Sequence, residues 1–326
     1  STSRPLELMH MDLVGPVQTE SIGGKKYILV LVDDFSRFTW VAFLREKSDA
    51  FKAFCGLLNR IQNDRVASND RVIKLRTDHG TEFENTSFSE FCDEKGIAHN
   101  FSAPITPQQN GVVERKNRVL LDMSRVMLTS ARLTSHFWAE AVSTASYTAN
   151  RVYLRLGTKC TPYEIWKGKK PNVKHLRVFG SICYIYRDRE MLAKFDSRSD
   201  IGIFLGYSLT SRAYRVFNKR TKNVMESINV VVNDSSLSIE QPASDEEFLQ
   251  SKLIDESSTT QVEVHQNVDS TKALRKGHKQ VQKDHSKSDI IGNVEDTILT
   301  KSKTTAVVNF TCYISKTVSY THLTLP

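Results

Sequence analysis

Residues 25–44, KKYILVLVDDFSRFTWVAFL, contain two apolar segments joined by a short polar connection, and they decide how the first part of the chain folds. Both segments, 25–34 and 38–44, are rich in β-branched, aromatic and leucine residues, which is typical of β-strands. The first is apolar almost throughout, as expected for a central strand covered on both faces. The connection at Ser36 and Arg37 is turn-like, so these residues predict an antiparallel pair of strands.

Segments on either side extend this pair into a complete α/β domain. Residues 6–17 predict a preceding antiparallel strand, with Gly23 and Gly24 at the turn. The later segments alternate between helical and strand-like spacing of apolar residues. They predict helices at residues 48–61, 87–95, 111–131 and 135–153, and strands at residues 72–77 and 98–103. This order predicts a mixed five-stranded sheet with flanking helices over residues 1–154.

The character of the sequence changes after Gly157. Residues 178–234 contain short alternating runs separated by turn-like clusters, which predict a small all-β barrel. The intervening residues 155–177 are interpreted as a linker. Residues 235–326 are rich in Ser, Thr, Asp, Lys and Gln and contain only four aromatic residues, a composition typical of a disordered tail.

Composition and charge narrow the class of protein. The 326 residues include no stretch near the ~20 consecutive apolar residues of a membrane span, and the first residues do not resemble a signal peptide. The five cysteines are scattered, which argues against a disulfide scaffold or a structural zinc site. Residues 101–234 carry a net charge of +12, whereas the segments before and after each carry −2. This excess suggests a polyanionic partner, although a solvated basic surface has the same composition.

Three acidic residues lie where packing does not require them. Asp12 is inside the first predicted strand, Asp78 ends the fourth, and Glu114 is in the first turn of the helix predicted at residues 111–131. A carboxylate in a central sheet is costly to bury unless it is paired or binds a metal. Three converging carboxylates repel one another, and hard divalent cations relieve that repulsion. Any one of these acids alone is more often a surface or capping residue, so the prediction depends on the three occurring together.

The spacing of these acids and the sequence motifs around them resemble those of a known family. Asp78 and Glu114 are separated by 35 residues, as in the D,D-35-E catalytic core of retroelement integrases. The similarity is to integrases of Copia-type LTR retrotransposons in particular and runs from Leu6 to about Asp234. It is carried by VDDFSRFTW (32–40), RTDHGTEF (76–83), TPQQNGVVERKN (106–117), HLRVFG (175–180), GIFLGY (202–207) and YRVFN (214–218).

The resemblance implies a fold, a cofactor and a reaction. It implies a ribonuclease-H-like catalytic core, followed by an SH3-like module that binds DNA. Asp12, Asp78 and Glu114 would hold two Mg²⁺ or Mn²⁺ ions. The implied reaction joins the 3′ ends of element cDNA to double-stranded host DNA, without a covalent protein intermediate. A homo-oligomer in the active complex, a nuclear location and no membrane association are also expected.

Several polar residues are candidates for DNA contact. Those before and within the helix at 111–131 are Gln108, Asn110, Lys116 and Arg118, and those in the barrel are Arg187, Arg189, Arg212 and Arg215. Turn and cap chemistry explains the first two equally well, and pairing with Asp122 explains Lys116 and Arg118. On the same helix, Val112, Val119, Met123 and Val126 are predicted to form an apolar face.

Two other functions remain open on the sequence. A truncated or inactive element-derived protein that binds DNA without integrating it would keep the same residues. A hybrid nuclease or junction resolvase would share the fold, but the basic barrel and the TPQQNGVVERKN helix disfavour it. Because no HHCC zinc module precedes Asp12, the sequence is interpreted as a fragment or truncated copy. The basic segment KALRKGHKQVQK (272–283) is a weak nuclear-import signal.

Overall fold

The first sheet has five strands and mixed direction, as the sequence predicts. In the computed structural model, which describes residues 2–65, 70–102, 110–187 and 193–237, it is built from β1 (Leu8–Val14), β2 (Tyr27–Asp33), β3 (Thr39–Leu44), β4 (Lys74–Thr77) and β5 (Ala98–Phe101). The strand order is β3-β2-β1-β4-β5. β1, β2 and β3 are antiparallel, whereas β4 pairs in parallel with both β1 and β5. This arrangement confirms the predicted ribonuclease-H-like fold class.

Four helices accompany this sheet. They are α1 (Ala50–Asn63), α2 (Thr86–Lys95), α3 (Gly111–Ala131) and α4 (Trp138–Val152). α2 begins where the Asn85 side chain accepts a hydrogen bond from the Phe88 N–H, and it ends at Gly96, whose positive φ suits glycine. Among the described residues, no helix is long and apolar enough to cross a membrane.

Strand alternation gives the sheet two different faces. Met9 and Met11 of β1 lie in the cluster that includes α1 and α2 residues, such as Phe54 and Phe88. The intervening residues of β1 therefore face the opposite side, where α3 and α4 pack through a second cluster that contains Val30. Asp12 lies opposite Val30 in the β1–β2 register, so it is on the α3 side of the sheet.

The buried face of α3 differs from the predicted one. Val112 and Met123 do pack against the second cluster, but Val119 and Val126 are 41% and 56% exposed. The prediction was wrong at these two positions because the buried stripe includes polar residues that apolar spacing overlooks. These are Asn117 and Ser124. The Ser124 hydroxyl donates a hydrogen bond to the carbonyl of Leu120 in the preceding turn.

Residues 155–177 are not only a connection, because they contain a short helix that packs on the core. Helix α5 (Pro162–Lys167) begins with a capping box between Thr161 and Glu164. Its Trp166 is 1% exposed, and its ring lies 4.8 Å from that of Trp40 in β3. The predicted boundary at residue 154 therefore cuts through a shared core.

The second sheet is antiparallel throughout. It contains β6 (Ser181–Tyr186), β7 (Ser199–Tyr207), β8 (Tyr214–Asn218), β9 (Asn223–Ser227) and β10 (Val230–Leu237), in the order β10-β6-β7-β8-β9. This confirms the predicted SH3-like module. β10 continues three residues into the segment predicted to be a tail, and the rest of that segment, 238–326, lies outside the described residues.

Replacing Trp166 by alanine tests whether α5 belongs to the core. We expect Trp166→Ala to lower the free energy of unfolding of the whole chain by about 3–5 kcal/mol, because it leaves a cavity beside Trp40. Denaturant unfolding measures this change. The exposed neighbour Lys169 provides the control, since Lys169→Ala removes no packing. Equal stabilities of the two variants would show that residues 155–177 are a mere linker.

Candidate active site

The first acidic residue, Asp12, is held in place by hydrogen bonds to both of its carboxylate oxygens. Oδ1 accepts from the backbone N–H of Leu13 at 2.9 Å, and Oδ2 accepts from Asn117 Nδ2 at 2.7 Å. Asn117 lies in α3, three residues after Glu114, so both side chains point to the same side of that helix. The contact ties the middle of the sheet to the first turns of α3.

Asp78 lies beside Asp12 because their strands are parallel neighbours. The β1–β4 register pairs His10 with Arg76; Asp12 lies two residues further along β1, and Asp78 is the first residue after β4. Alternation places His10 and Asp12 on one face of the sheet, and the charge of Asp78 acts on Asp12 there. Asp78 Oδ1 accepts a weak bond of 3.3 Å from the N–H of Gly80, which turns the chain away after β4.

Glu114 approaches from α3. It is exposed in the first turn of that helix, and it lines an open depression of about 370 Å³ together with Asp12. The other residues that line the depression are Asn117, Arg118, Leu121, Asp122 and Arg125. Glu114 and Arg118, one turn apart, therefore share the face of α3 that is turned toward this depression.

The three acids interact electrostatically. Burial and, after it, the negative charges of Asp78 and Glu114 raise the pKa of Asp12 from its ordinary 3.8 to about 6. The hydrogen bonds from Leu13 and Asn117 act in the opposite direction but do not cancel these effects. A carboxylate whose charge is opposed by two neighbours is a candidate functional group.

The donor set suits a hard divalent cation, although the carboxylates are not gathered around one point. Among residues 2–65, 70–102, 110–187 and 193–237, no group of three or more His, Cys, Asp or Glu side chains is close enough to hold a metal ion. Carboxylate oxygens are nevertheless the ligands that Mg²⁺ and Mn²⁺ prefer. The repulsion that raises the pKa of Asp12 is the interaction that a divalent cation relieves.

The candidate DNA contacts near α3 fall into different environments. Arg118 is exposed at the depression, where a phosphate can reach it. Lys116 is half-buried, and burial, with the positive charge of Arg37, lowers its pKa from 10.5 to about 8. Asn110 is buried at the start of α3, and its Oδ1 has no hydrogen-bond partner in the described part of the chain. Gln108 lies outside the described residues.

Two barrel arginines are engaged by the protein itself. Arg215 donates to both carboxylate oxygens of Glu140 in α4, at 2.7 and 2.8 Å. Arg187 lies 3.7 Å from buried Asp200 and donates to the carbonyl of Ser197. Both arginines therefore form ion pairs within the chain, and their contact with DNA stays a prediction. Arg212 is exposed, and Arg189 lies outside the described residues.

Sequence reasoning missed a buried polar contact that His10 makes close to Asp12. Buried His10, two residues before Asp12, contacts Asp34 through Nε2 at 3.0 Å. Asp34 also pairs with Arg37 at 3.1 Å, and these partners hold its pKa below the ordinary value. Asn117 was also missed, although its position one turn after Glu114 is a usable signal.

Two family models match the chain, one over the region of the first sheet and one over the region of the second sheet. The Integrase core domain matches residues 2–107, and the Retroviral polymerase SH3-like domain matches residues 181–246. The class of protein is thus an integrase core domain followed by an SH3-like domain. An integrase core is a polynucleotidyl transferase domain, so the chain falls into that class of enzyme.

Curated relatives place the chain more narrowly. It is 35% identical over 232 residues to the Retrovirus-related Pol polyprotein from transposon TNT 1-94 of Nicotiana tabacum, which covers 71% of this chain and 17% of that protein. The transposon RE1 polyprotein of Arabidopsis thaliana is 32% identical over 231 residues, 71% of this chain and 15% of that protein. The chain is therefore homologous to a segment of Copia-type retrotransposon Pol polyproteins and spans about a sixth of their length.

Solved integrases show a more distant likeness. The HTLV-2 integrase catalytic core domain in complex with magnesium is 21% identical, with a TM-score of 0.39. The alignment covers 50% of this chain and 97% of that chain. The assignment rests on the two domain matches and the curated relatives.

The raised pKa of Asp12 has a consequence for stability in the absence of metal. Since the folded-state value exceeds the ordinary one, ionisation of Asp12 opposes folding, and this cost appears as pH rises from about 4 to about 6. The difference between a pKa of 3.8 and one of about 6 corresponds to roughly 3 kcal/mol. In EDTA at neutral pH, Asp12→Asn is expected to raise the free energy of unfolding by up to that amount, and to leave it unchanged below about pH 4.

Urea unfolding at the two pH values measures this difference. Asp93 is the matched control, because it is an exposed aspartate and Asp93→Asn makes the same chemical change. An increase that is equal for both variants, or that persists at low pH, would contradict the electrostatic origin.

Proposed function

We propose that this chain catalyses divalent-metal-dependent DNA strand transfer, in which a 3′-hydroxyl of element DNA attacks a phosphodiester of a target duplex. The observation that carries the proposal is that Asp12, Asp78 and Glu114 lie near enough to one another for the charges of the last two to act on Asp12. Asp12 lies in β1, Asp78 directly follows the parallel neighbour β4, and Glu114 lies in α3, all in a chain with an integrase core. With water as the attacking group, the same site would nick or trim DNA.

The three acids would hold two Mg²⁺ or Mn²⁺ ions. Bound divalent ions activate an attacking oxygen and neutralise charge on the leaving oxygen at phosphorus. The protein's own part is to position groups and to supply charge. Asn117 fixes the orientation of the Asp12 carboxylate through its 2.7 Å hydrogen bond, and exposed Arg118 can contact a phosphate at the edge of the depression.

The barrel would hold duplex DNA through its phosphates. Exposed Arg198, Arg212 and Lys222 carry positive charge on this module, and exposed Tyr184 and Tyr186 add aromatic surface. Contacts of this kind bind the backbone with little sequence preference. Because two DNA ends are joined to one target, we also propose a homo-oligomer. A nuclear site of action follows from the substrate, and the candidate import segment 272–283 lies outside the described residues.

Amide replacement of each acid tests the site. Asp12→Asn, Asp78→Asn and Glu114→Gln each remove one charge and nearly keep the shape of the side chain. We expect Mg²⁺- or Mn²⁺-dependent joining of a short duplex to plasmid DNA to fall by at least about 100-fold, because charge and positioning provide almost all of the catalysis. Mg²⁺ should also raise the melting temperature of the wild type but not that of the variants.

Asp122→Asn serves as the control for a nearby carboxylate, since Asp122 is paired with Arg125 on the surface of α3. A variant that keeps most of the wild-type activity would exclude its residue from the site. A wild-type chain that binds metal and DNA but joins no ends would instead favour the non-integrating DNA-binding protein.

The salt dependence of DNA binding separates exposed from engaged arginines. Each phosphate that a cation neutralises contributes about 0.9 to the slope of log affinity against log salt. We expect Arg118→Ala and Arg212→Ala each to reduce the slope by about that amount. Arg187→Ala is the matched comparison, because Arg187 is held near Asp200. An equal reduction for Arg187→Ala would show that it leaves Asp200 to bind DNA.

A further inference from the structure

The barrel and the catalytic core share an apolar interface. Ile203 and Leu205 of β7 and Phe217 of β8 are buried together with Ala141 of α4 and Phe137 just before it. The Phe137 and Phe217 rings meet edge to face, with centroids 5.2 Å apart. A buried contact of this kind resists motion between the domains, because separating the apolar surfaces would expose them to water.

Two glycines show how closely the elements approach. A β-carbon at Gly206 in β7 would lie 2.0 Å from the hydroxyl oxygen of Thr144 in α4. A β-carbon at Gly180, just before β6, would lie 2.2 Å from Cβ of Ala131 at the end of α3. The Thr144 hydroxyl also donates a 2.6 Å hydrogen bond to the carbonyl of Leu205. The strands therefore contact the helices with no space for a side chain between them.

An ion pair between Arg215 and Glu140 crosses this interface. Arg215 Nε and Nη2 donate to the two oxygens of Glu140, at 2.8 and 2.7 Å, in the bidentate geometry that gives such pairs their directional preference. Both side chains are partly shielded from solvent, with 31% and 17% exposure. Glu226 of the neighbouring strand β9 accepts a third bond, of 3.2 Å, from Nη1 of the same arginine.

We propose that Arg215 and Glu140 are a positioning pair that sets the orientation of the barrel relative to Asp12, Asp78 and Glu114. This proposal rests on the proposed function, because the orientation matters for a substrate that contacts both domains. Glu140 lies in α4, which packs on α3 and β3, and α3 carries Glu114 and Asn117. The pair thus connects the barrel to the helix layer that positions the site, while the barrel's exposed cations stay available for phosphates.

Glu226 provides a control within the same cluster. Glu140 and Glu226 both bind Arg215, but only Glu140 belongs to the other domain. If Arg215 acted by contacting DNA, removing either acid would free it and strengthen DNA binding to a similar degree. If the pair positions the barrel, Glu140→Ala should resemble Arg215→Ala, and Glu226→Ala should resemble the wild type.

The experiment compares Arg215→Ala, Glu140→Ala, their combination and Glu226→Ala in the full chain. We expect the rate of joining at saturating DNA to fall about 10- to 100-fold in the first three, because small misplacements of a substrate are that costly. The double variant should be no slower than the slower single variant, since both truncations break one interaction. The salt slope of DNA binding and the Mg²⁺-induced rise in melting temperature should stay at wild-type values.

Three results would overturn the proposal. They are a loss of slope of about 0.9 in Arg215→Ala alone, equal behaviour of Glu140→Ala and Glu226→Ala, and full additivity in the double variant. Should an alanine variant unfold at the assay temperature, Arg215→Lys and Glu140→Gln replace it. Lysine keeps the charge but not the two-pronged geometry, so a positioning role predicts reduced joining with an unchanged salt slope.

Failure of the proposed function is distinguishable from failure of this pair. If the wild type joins no DNA, the proposed function fails, and the pair is then judged by calorimetry. Wild type and Glu226→Ala should unfold in one transition, whereas Arg215→Ala and Glu140→Ala should separate the barrel transition from that of the core. A single transition in all four proteins, with additive changes in stability, would overturn the coupling.

Discussion

The carboxyl groups of Asp12 and Asp78 lie near each other because β1 and β4 pair in parallel. Their mutual repulsion is an unfavourable term that the rest of the fold offsets. Asp12 lies in β1, two residues beyond the last pair of the β1–β4 ladder, and Asp78 directly follows β4. The charge of Asp12 is opposed by burial and by two acidic neighbours, and it is stabilised only through Leu13 and Asn117. The fold thus keeps a local instability whose natural relief is a bound cation, as expected where function competes with stability.

Much of this arrangement follows from sequence pattern. The apolar runs of the first three strands predict the antiparallel part of the sheet, and α3 begins and ends at the predicted residues, Gly111 and Ala131. The acids could be singled out because charge inside an apolar strand has no packing explanation. Strand ends were less accurate: β1 is Leu8–Val14 rather than residues 6–17, since Leu6 lies in a turn and the chain leaves the strand at Gly15.

The features that could not be predicted are contacts between side chains that are distant in the sequence. Arg215 reads as a DNA contact because its neighbours in sequence are basic, whereas its partner Glu140 lies 75 residues away. Trp166 is predicted to lie in a linker because the core residues that it contacts, such as Trp40, are far from it in the sequence. Asn117 reads as polar surface, yet it is buried against Asp12. Long-range choices of this kind leave no periodic signal.

The close approach of Gly206 to Thr144 bears on how such polyproteins can exchange segments. The integrase core match ends at residue 107 and the SH3-like match begins at residue 181. Helices α3 and α4, which contact both domains, lie between the two matches. A recombination point between α4 and the barrel would join a barrel to an α4 that evolved against a different barrel. Any larger residue at position 206, or a bulkier one at 144, would then collide across the junction. Inheritance of α4 together with the barrel is the exchange that preserves their fit.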